Sequence, residues 1–254
     1  MSSFNGKNIW IIGASSGIGQ SLAQELAKRG ANLILSARRS DRLQDVLRPM
    51  SGNHHAIALD VADYPAVFAA SEQTMQKYGR IDAMICLAAH YTPSAIATMD
   101  WQEAQKTCAI NIGGTINAVL AVLPYMRKQK FGQIVMCASV AGYVGLPNAQ
   151  PYSMTKAAII NFAESLRVEE RDSGIDVRVI NPGFVETPMT GKNNFKMPMI
   201  ITADAAAKYI CDGLSANGFE ISFPKTFVLV MKLMRILPYA VYLRLASKFT
   251  VKRS

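Results

Sequence analysis

Short apolar runs alternate with helix-length amphipathic stretches along most of this chain, and that alternation limits the fold more than any other feature. Asn8-Ile9-Trp10-Ile11-Ile12 reads as the first strand, continuous in its apolar character and therefore buried on both faces. A glycine-rich turn follows at once, then a helix through Leu22, Leu26 and Ala27 that ends at Gly30. Leu33-Ile34-Leu35-Ser36 is a second strand, and a helix with Leu43, Val46 and Leu47 runs to Pro49. His55 to Leu59 gives a third strand, a helix through Val67 and Met75 reaches Gly79, and Ala83 to Leu87 is a fourth strand. A long helix around Asn111 to Met126, a strand from Gln133 to Cys137 and a helix carrying Tyr152 and Lys156 come next. Strands at Asp176 to Ile180 and Glu220 to Phe223 complete the pattern. Strands alternating with helices predict an α/β fold: a doubly wound parallel sheet with helices on both faces, in three layers. Nothing repeats, no linker divides the chain, and half of its 254 residues are apolar, enough for one domain with a large core. Residues 1–224 form the body of that domain and 225–254 its tail.

In such sheets ligands bind beyond the carboxyl ends of the strands, where Gly13, Leu87, Ser139 and Asn181 all fall. The turn Gly13-Ala14-Ser15-Ser16-Gly17-Ile18-Gly19 joins a strand to a helix. Glycines let the backbone approach a pyrophosphate, and the helix N-terminus offers unpaired N–H groups, so a dinucleotide is expected. At the end of the second strand an acid would select NAD, whereas arginine accommodates the extra phosphate of NADP. The run there is Ser36-Ala37-Arg38-Arg39, with no carboxylate until Asp41, which points to NADP(H) over NAD through Arg38. The competing reading makes both arginines a solvated helix entry, Arg39 more than Arg38. Tyr152 and Lys156, four apart, share a helix face, and a cation beside the phenol is expected to lower its pKa and make it a proton donor and acceptor.

These residues resemble the single-domain branch of the short-chain dehydrogenase/reductase family, over about Asn8 to Thr187. The resemblance implies a Rossmann sheet, with Gly13, Gly17 and Gly19 in the cofactor turn alongside Ser15, Ser16 and Ile18. It implies adenine contacts from Asp60 and Val61, and a catalytic tetrad of Asn111, Ser139, Tyr152 and Lys156. Pro182, Gly183, Val185 and Thr187 would flank the nicotinamide, with Val185 and Thr187 holding its carboxamide. Tyr152 would donate a proton to a carbonyl oxygen, Lys156 would bond the ribose, Ser139 would hold the carbonyl, and Asn111 would support a water chain. One motif departs from the family: Leu87-Ala88-Ala89-His90 replaces Asn-Asn-Ala-Gly. Only Ala89 matches, which is expected to weaken hydrogen bonding at the sheet and to put a ring where the cofactor approaches. His90 and Met189 are the substrate-side candidates, the latter in an irregular segment from 188 to 203 that covers the substrate in the family. Helices bearing Asn111 and Tyr152 build dimers or tetramers there.

Cys86, Cys108, Cys137 and Cys211 are widely separated in apolar stretches, so neither a disulfide framework nor a metal site is expected. The first residues lack the blocks of a signal peptide, which suggests a cytoplasmic protein. Most of the net charge of +9 comes from the tail, where Lys225, Lys232, Arg235, Arg244, Lys248, Lys252 and Arg253 follow the last acid, Glu220. No nucleic-acid motif accompanies it, so no nucleic-acid partner is expected. Apolar runs at 227–231 and 236–243, split by Pro238 into two helices, fall short of the ~20 residues that span a bilayer. They suit helices lying on a membrane surface or packed on protein. Membrane contact would favour a lipophilic carbonyl or alcohol substrate. Two other readings compete: a 3-oxoacyl thioester reductase whose basic tail meets an acidic carrier protein, and a silent NADP-binding sensor or scaffold.

Overall fold

The computed structural model describes residues 3–92 and 94–248. Seven parallel strands form the central sheet. In chain order they are β1 (Asn8–Ile12), β2 (Asn32–Ala37), β3 (His54–Ala58), β4 (Ala83–Cys86), β5 (Gly132–Cys137), β6 (Ile175–Pro182) and, after a small separate pair, β9 (Glu220–Phe223). In space the order is β3-β2-β1-β4-β5-β6-β9, the doubly wound arrangement that reverses between β1 and β4 and opens a crevice there. The third strand starts one residue earlier than its apolar pattern suggests, because His54 pairs with Leu33.

The two faces of the sheet are covered separately. Helices α1 (Gly17–Lys28), α2 (Ser40–Leu47) and α7 (Ala203–Ser215) bury Leu22, Leu26, Leu43, Ile210 and Leu214 against one face. On the other lie α3 (Tyr64–Tyr78), α5 (Gly114–Gln129) and α6 (Tyr152–Glu169), with Val67, Val122, Ile159 and Ala163 at the core. Helix α3 has conventional ends: Asp63 accepts from Ala66 N at 3.1 Å, and Gly79 closes it at φ +72°. A helix not expected from the sequence, α4 (Trp101–Cys108), precedes a π turn over Ala109–Gly113 that leads into α5. The stretch Trp101–Gln129 is long and apolar enough to cross a bilayer, yet α5 packs on β4, β5 and α3 as a core helix does.

The end of the sheet away from the crevice is held by charge. The buried Asp82 carboxylate accepts from Asn8 N at 2.8 Å and pairs with Lys7 and Arg80, and Asp176 joins Arg167, Arg178 and Gln133. The segment from 188 to 203 is less irregular than expected: β8 (Ile201–Thr202) pairs with β7 (Val185–Glu186), and a tight turn spans Thr190–Lys192. The tail forms two helices on either side of Pro238, α8 (Lys225–Ile236) and α9 (Tyr239–Ser247). Val228 and Met231 of α8 join the core, while Lys252 and Arg253 lie outside the described residues.

Candidate active site

The turn after β1 is built by close approach. Gly13 N and Ala14 N both donate to Ser36 O on β2, at 2.7 and 3.2 Å, which folds the turn back over the sheet. Gly13 sits at φ +95°, where a Cβ would lie 2.6 Å from Ala88 N; at Gly19 a Cβ would lie 2.1 Å from Gly13 O. Only glycine allows this packing. Ser16, at the N-cap of α1, makes no side-chain capping bond, so the first amides of that helix stay available beside the cleft. The cleft is lined here by Gly13, Ser15, Ser16, Gly17, Ile18 and Gly19. At the end of β2 both Arg38 and Arg39 line it, both are exposed, and Arg39 is also the N-cap residue of α2. Asp60 and Val61 line the neighbouring wall after β3, and Asn117 Nδ2 fixes the Val61 carbonyl at 2.9 Å. Tight glycines, uncapped helix amides and two guanidinium groups fit a dinucleotide that carries an additional phosphate.

Across the crevice, β5 and α6 bring the reacting groups together. Ser139, Tyr152 and Lys156 line the same cleft as the glycine turn, with Ala89, Pro182, Gly183, Val185, Thr187 and Met189 beside them. Tyr152 opens α6 and Lys156 lies one turn further, its ammonium 5.3 Å from the phenol ring centre. Lys156 is fully buried and donates to Cys137 O at 2.7 Å, which fixes it at the end of β5. Ser139 Oγ donates to Pro182 O at 3.3 Å and accepts from Ala141 N at 3.1 Å. Ser153 Oγ ties that loop to α6 through Ala141 O at 2.7 Å. Such a set can hold a carbonyl oxygen between a hydroxyl and a phenol while a reductant approaches from the glycine side.

Burial works against the expected tuning of Tyr152 by Lys156. It pushes the phenol up, and the hydrogen bond with Ser139 pulls it down. Lys156 is itself pushed down by burial. The phenol is therefore held as an acid.

Residues 7–197 match the family model for short chain dehydrogenases. The chain belongs to this family. Oxidoreductase UcpA of Salmonella typhimurium is 39% identical over 193 residues, covering 74% of this chain and 73% of its own. An uncharacterised oxidoreductase of Myxococcus xanthus is 31% identical over 231 residues, covering 90% of this chain and 91% of its own. Among solved structures, ElxO with NADP bound is 25% identical and superposes with a TM-score of 0.77, covering 85% of this chain and 97% of that one. A short chain dehydrogenase from Burkholderia cenocepacia in complex with NADP, 22% identical, shares the fold at a TM-score of 0.85 over 98% of this chain and 100% of that one.

Two expected site residues of this short-chain dehydrogenase do not line the cleft. Asn111 is fully buried in the π turn, where its side chain braces the loop after β4. Its Oδ1 accepts from His90 N at 2.7 Å, and its Nδ2 donates to His90 O at 3.0 Å and to Thr155 Oγ1 at 2.9 Å. Its side chain thereby ties the loop after β4 to α6. The loss of the family's asparagines is thus offset at the backbone of His90. The His90 ring meets Glu103 on α4 at 2.7 Å, with Thr92 donating to the same carboxylate at 3.0 Å. Sequence reasoning missed Arg39, Pro188 and Thr190 as lining residues, and Tyr91, whose ring packs on Tyr152. An aromatic residue directly after the altered motif was the available signal for the last.

Proposed function

We propose that this short-chain dehydrogenase uses NADP(H) to interconvert a carbonyl and a secondary alcohol, by hydride transfer at the carbon and proton transfer at the oxygen. One observation carries the reading: Ser139, Tyr152 and Lys156 line the cleft that also holds the glycine turn and the Arg38-Arg39 pair. Bound NADPH supplies the hydride. Tyr152 gives its proton to the carbonyl oxygen as hydride adds to the carbon, so the product leaves as a neutral hydroxyl. A phenol that burial keeps protonated suits that donor role. Ser139 orients the oxygen, and the buried Lys156 ammonium stabilises the phenolate left behind. Val185 and Thr187 hold the nicotinamide end, Asp60 and Val61 the adenine end. Tyr152→Phe is expected to abolish turnover of a ketone and aldehyde panel while NADPH still binds; near-normal activity would refute the donor assignment.

A lipophilic substrate and contact with an anionic membrane are the finer part of the proposal. Leu229, Leu233 and Ile236 recur at helical spacing along α8 and are 60%, 52% and 75% exposed; Tyr239 of α9 is 82% exposed. Lys225, Arg235, Arg244 and Lys248 flank this apolar surface, whereas Lys232 pairs with Glu220 of its own domain. Because Val228 and Met231 are core residues, deletion of the tail would confuse binding with unfolding. Replacing Leu229, Leu233 and Ile236 with serine should abolish co-sedimentation with phosphatidylserine-containing liposomes. Unchanged co-sedimentation removes the membrane proposal. Self-association through α4, α5 and α6 is supported by Trp101, Leu120, Met154 and Val168, all exposed on those helices. A dimer or tetramer by light scattering would bear it out, and a monomer would exclude it.

A further inference from the structure

Tyr91 stands against the proton donor. Its ring meets that of Tyr152 edge to face, with centroids 4.8 Å apart and 69° between planes. Its hydroxyl donates to Asn193 Oδ1 at 2.8 Å, and Lys192 Nζ donates to its carbonyl oxygen at 3.3 Å. Asn193 Nδ2 in turn donates to Met197 Sδ at 3.2 Å. One side chain therefore joins the phenol of Tyr152 to the segment that follows Thr187 and Met189. The link starts from a fixed point, since the preceding residue, His90, is held at both its backbone groups by Asn111. Burial raises the pKa of Tyr91, which keeps its hydroxyl a neutral donor.

Tyr91 does not itself line the cofactor cleft, so it reaches Tyr152 from another side. A carbonyl compound must offer its carbon towards the glycine turn and its oxygen to the Tyr152 hydroxyl. The substituents of that carbon then run outward past the Tyr152 ring. At this centroid separation the two rings are in van der Waals contact, and no group fits between them.

We infer that Tyr91 is a specificity-determining residue: it walls the space beside Tyr152, and its bond to Asn193 holds the wall closed against branched carbonyl substituents. The inference rests on the carbonyl chemistry proposed above. A ketone with a slim, unbranched chain on this side passes the ring. A ketone branched at the carbon next to the carbonyl must swing Tyr91 outward and break its bond to Asn193.

The test compares a straight-chain methyl ketone with the tert-butyl ketone of the same chain, using NADPH and the full-length protein. Tyr91→Ala should raise the branched-to-linear ratio of kcat/KM at least about tenfold, the scale on which a hydrophobic pocket discriminates by size. Tyr91→Phe keeps the wall and should leave that ratio within about twofold of the wild type, while amide exchange in residues 190–197 accelerates. If Tyr91→Ala does not fold, Tyr91→Val carries the same comparison. A change that scales both ketones by the same factor would overturn the assignment while leaving the carbonyl chemistry intact. A wild type that oxidises no NADPH with any ketone would instead overturn the proposed function, and this assignment with it.

Discussion

Replacement of Glu220 tests how the tail is attached. Its carboxylate gathers three donors: Asn181 Nδ2 at 2.6 Å, the Tyr143 hydroxyl, and Lys232 Nζ from α8. Tyr143 is 7% exposed and Asn181 1%, so Glu220→Ala leaves two buried donors without this acceptor. At about 1–3 kcal/mol for each orphaned donor, the pair gives roughly 2–6 kcal/mol. The Lys232 pair adds no more than about 1 kcal/mol, because that lysine side chain is 48% exposed and screened by solvent. A central value of about 4 kcal/mol, at about 2–4 °C per kcal/mol for a domain of this size, predicts a fall in Tm of roughly 8–16 °C. Glu220→Gln keeps an acceptor for Tyr143 and Asn181 and loses only the charge facing Lys232, so about 2–4 °C is expected from about 1 kcal/mol. Burial raises the Glu220 pKa, but the bonds from Lys232, Tyr143 and Asn181 outweigh it and hold the group below its ordinary 4.5. The charge therefore stabilises above that value and its contribution is lost as pH falls through the folded pKa, where wild type and Glu220→Gln should converge. Thermal melts followed by circular dichroism at pH 7 and in acid measure both effects. A Glu220→Ala protein melting within about 2 °C of wild type would refute the orphaned-donor reasoning. So would a Glu220→Gln protein as damaged as Glu220→Ala.

Gly13→Ala places a Cβ 2.6 Å from Ala88 N at φ +95°, and is expected to cost about 1–3 kcal/mol of stability and at least about tenfold in NADPH affinity by calorimetry. Arg38→Ala combined with Arg39→Ala should weaken NADPH binding about tenfold to a hundredfold, from about 1.5–3 kcal/mol per charged hydrogen bond, and leave NADH binding within about twofold. Hydrogen bonds from His90 and Thr92 hold the Glu103 carboxyl down to about 2. Its contribution is complete above its ordinary value of 4.5 and falls away as pH drops towards about 2, so the urea midpoints of wild type and Glu103→Gln should converge on acidification.

The sheet and the cofactor turn were legible because each strand is a short apolar run ended by glycine or a polar cluster, and because Gly13 and Gly19 report close backbone approach through their own chemistry. Helix α4 was not, since its apolar stripe is only Trp101, Ala104 and Cys108 in eight residues; its clearer local signal is Asp100, which accepts from Glu103 N at 2.8 Å. The pair β7 and β8 is two residues long on each side, too short to leave a pattern. Long-range geometry hid the rest. Nothing near His90 in the chain says that its ring will meet a carboxylate thirteen residues on, or that Lys156 will donate a hydrogen bond to the Cys137 carbonyl. The split of Lys232 from the other tail cations depends likewise on where β9 begins.

The wider turn at Ala109–Gly113 sets a phase between two stretches of one continuous helix. An extra residue in a regular α-helix rotates everything beyond it by about 100°, and the wider turn absorbs one locally. Loss of one of those five would let the helix regularise with little change of phase, whereas one more residue would swing α4 around its axis by about 100° relative to α5. Glu103 would then leave the His90 ring while the backbone clamp from Asn111 had to choose one half or the other. Single-residue insertions here should be far more damaging than single-residue deletions that spare Asn111, a contrast that an insertion and deletion scan would expose directly.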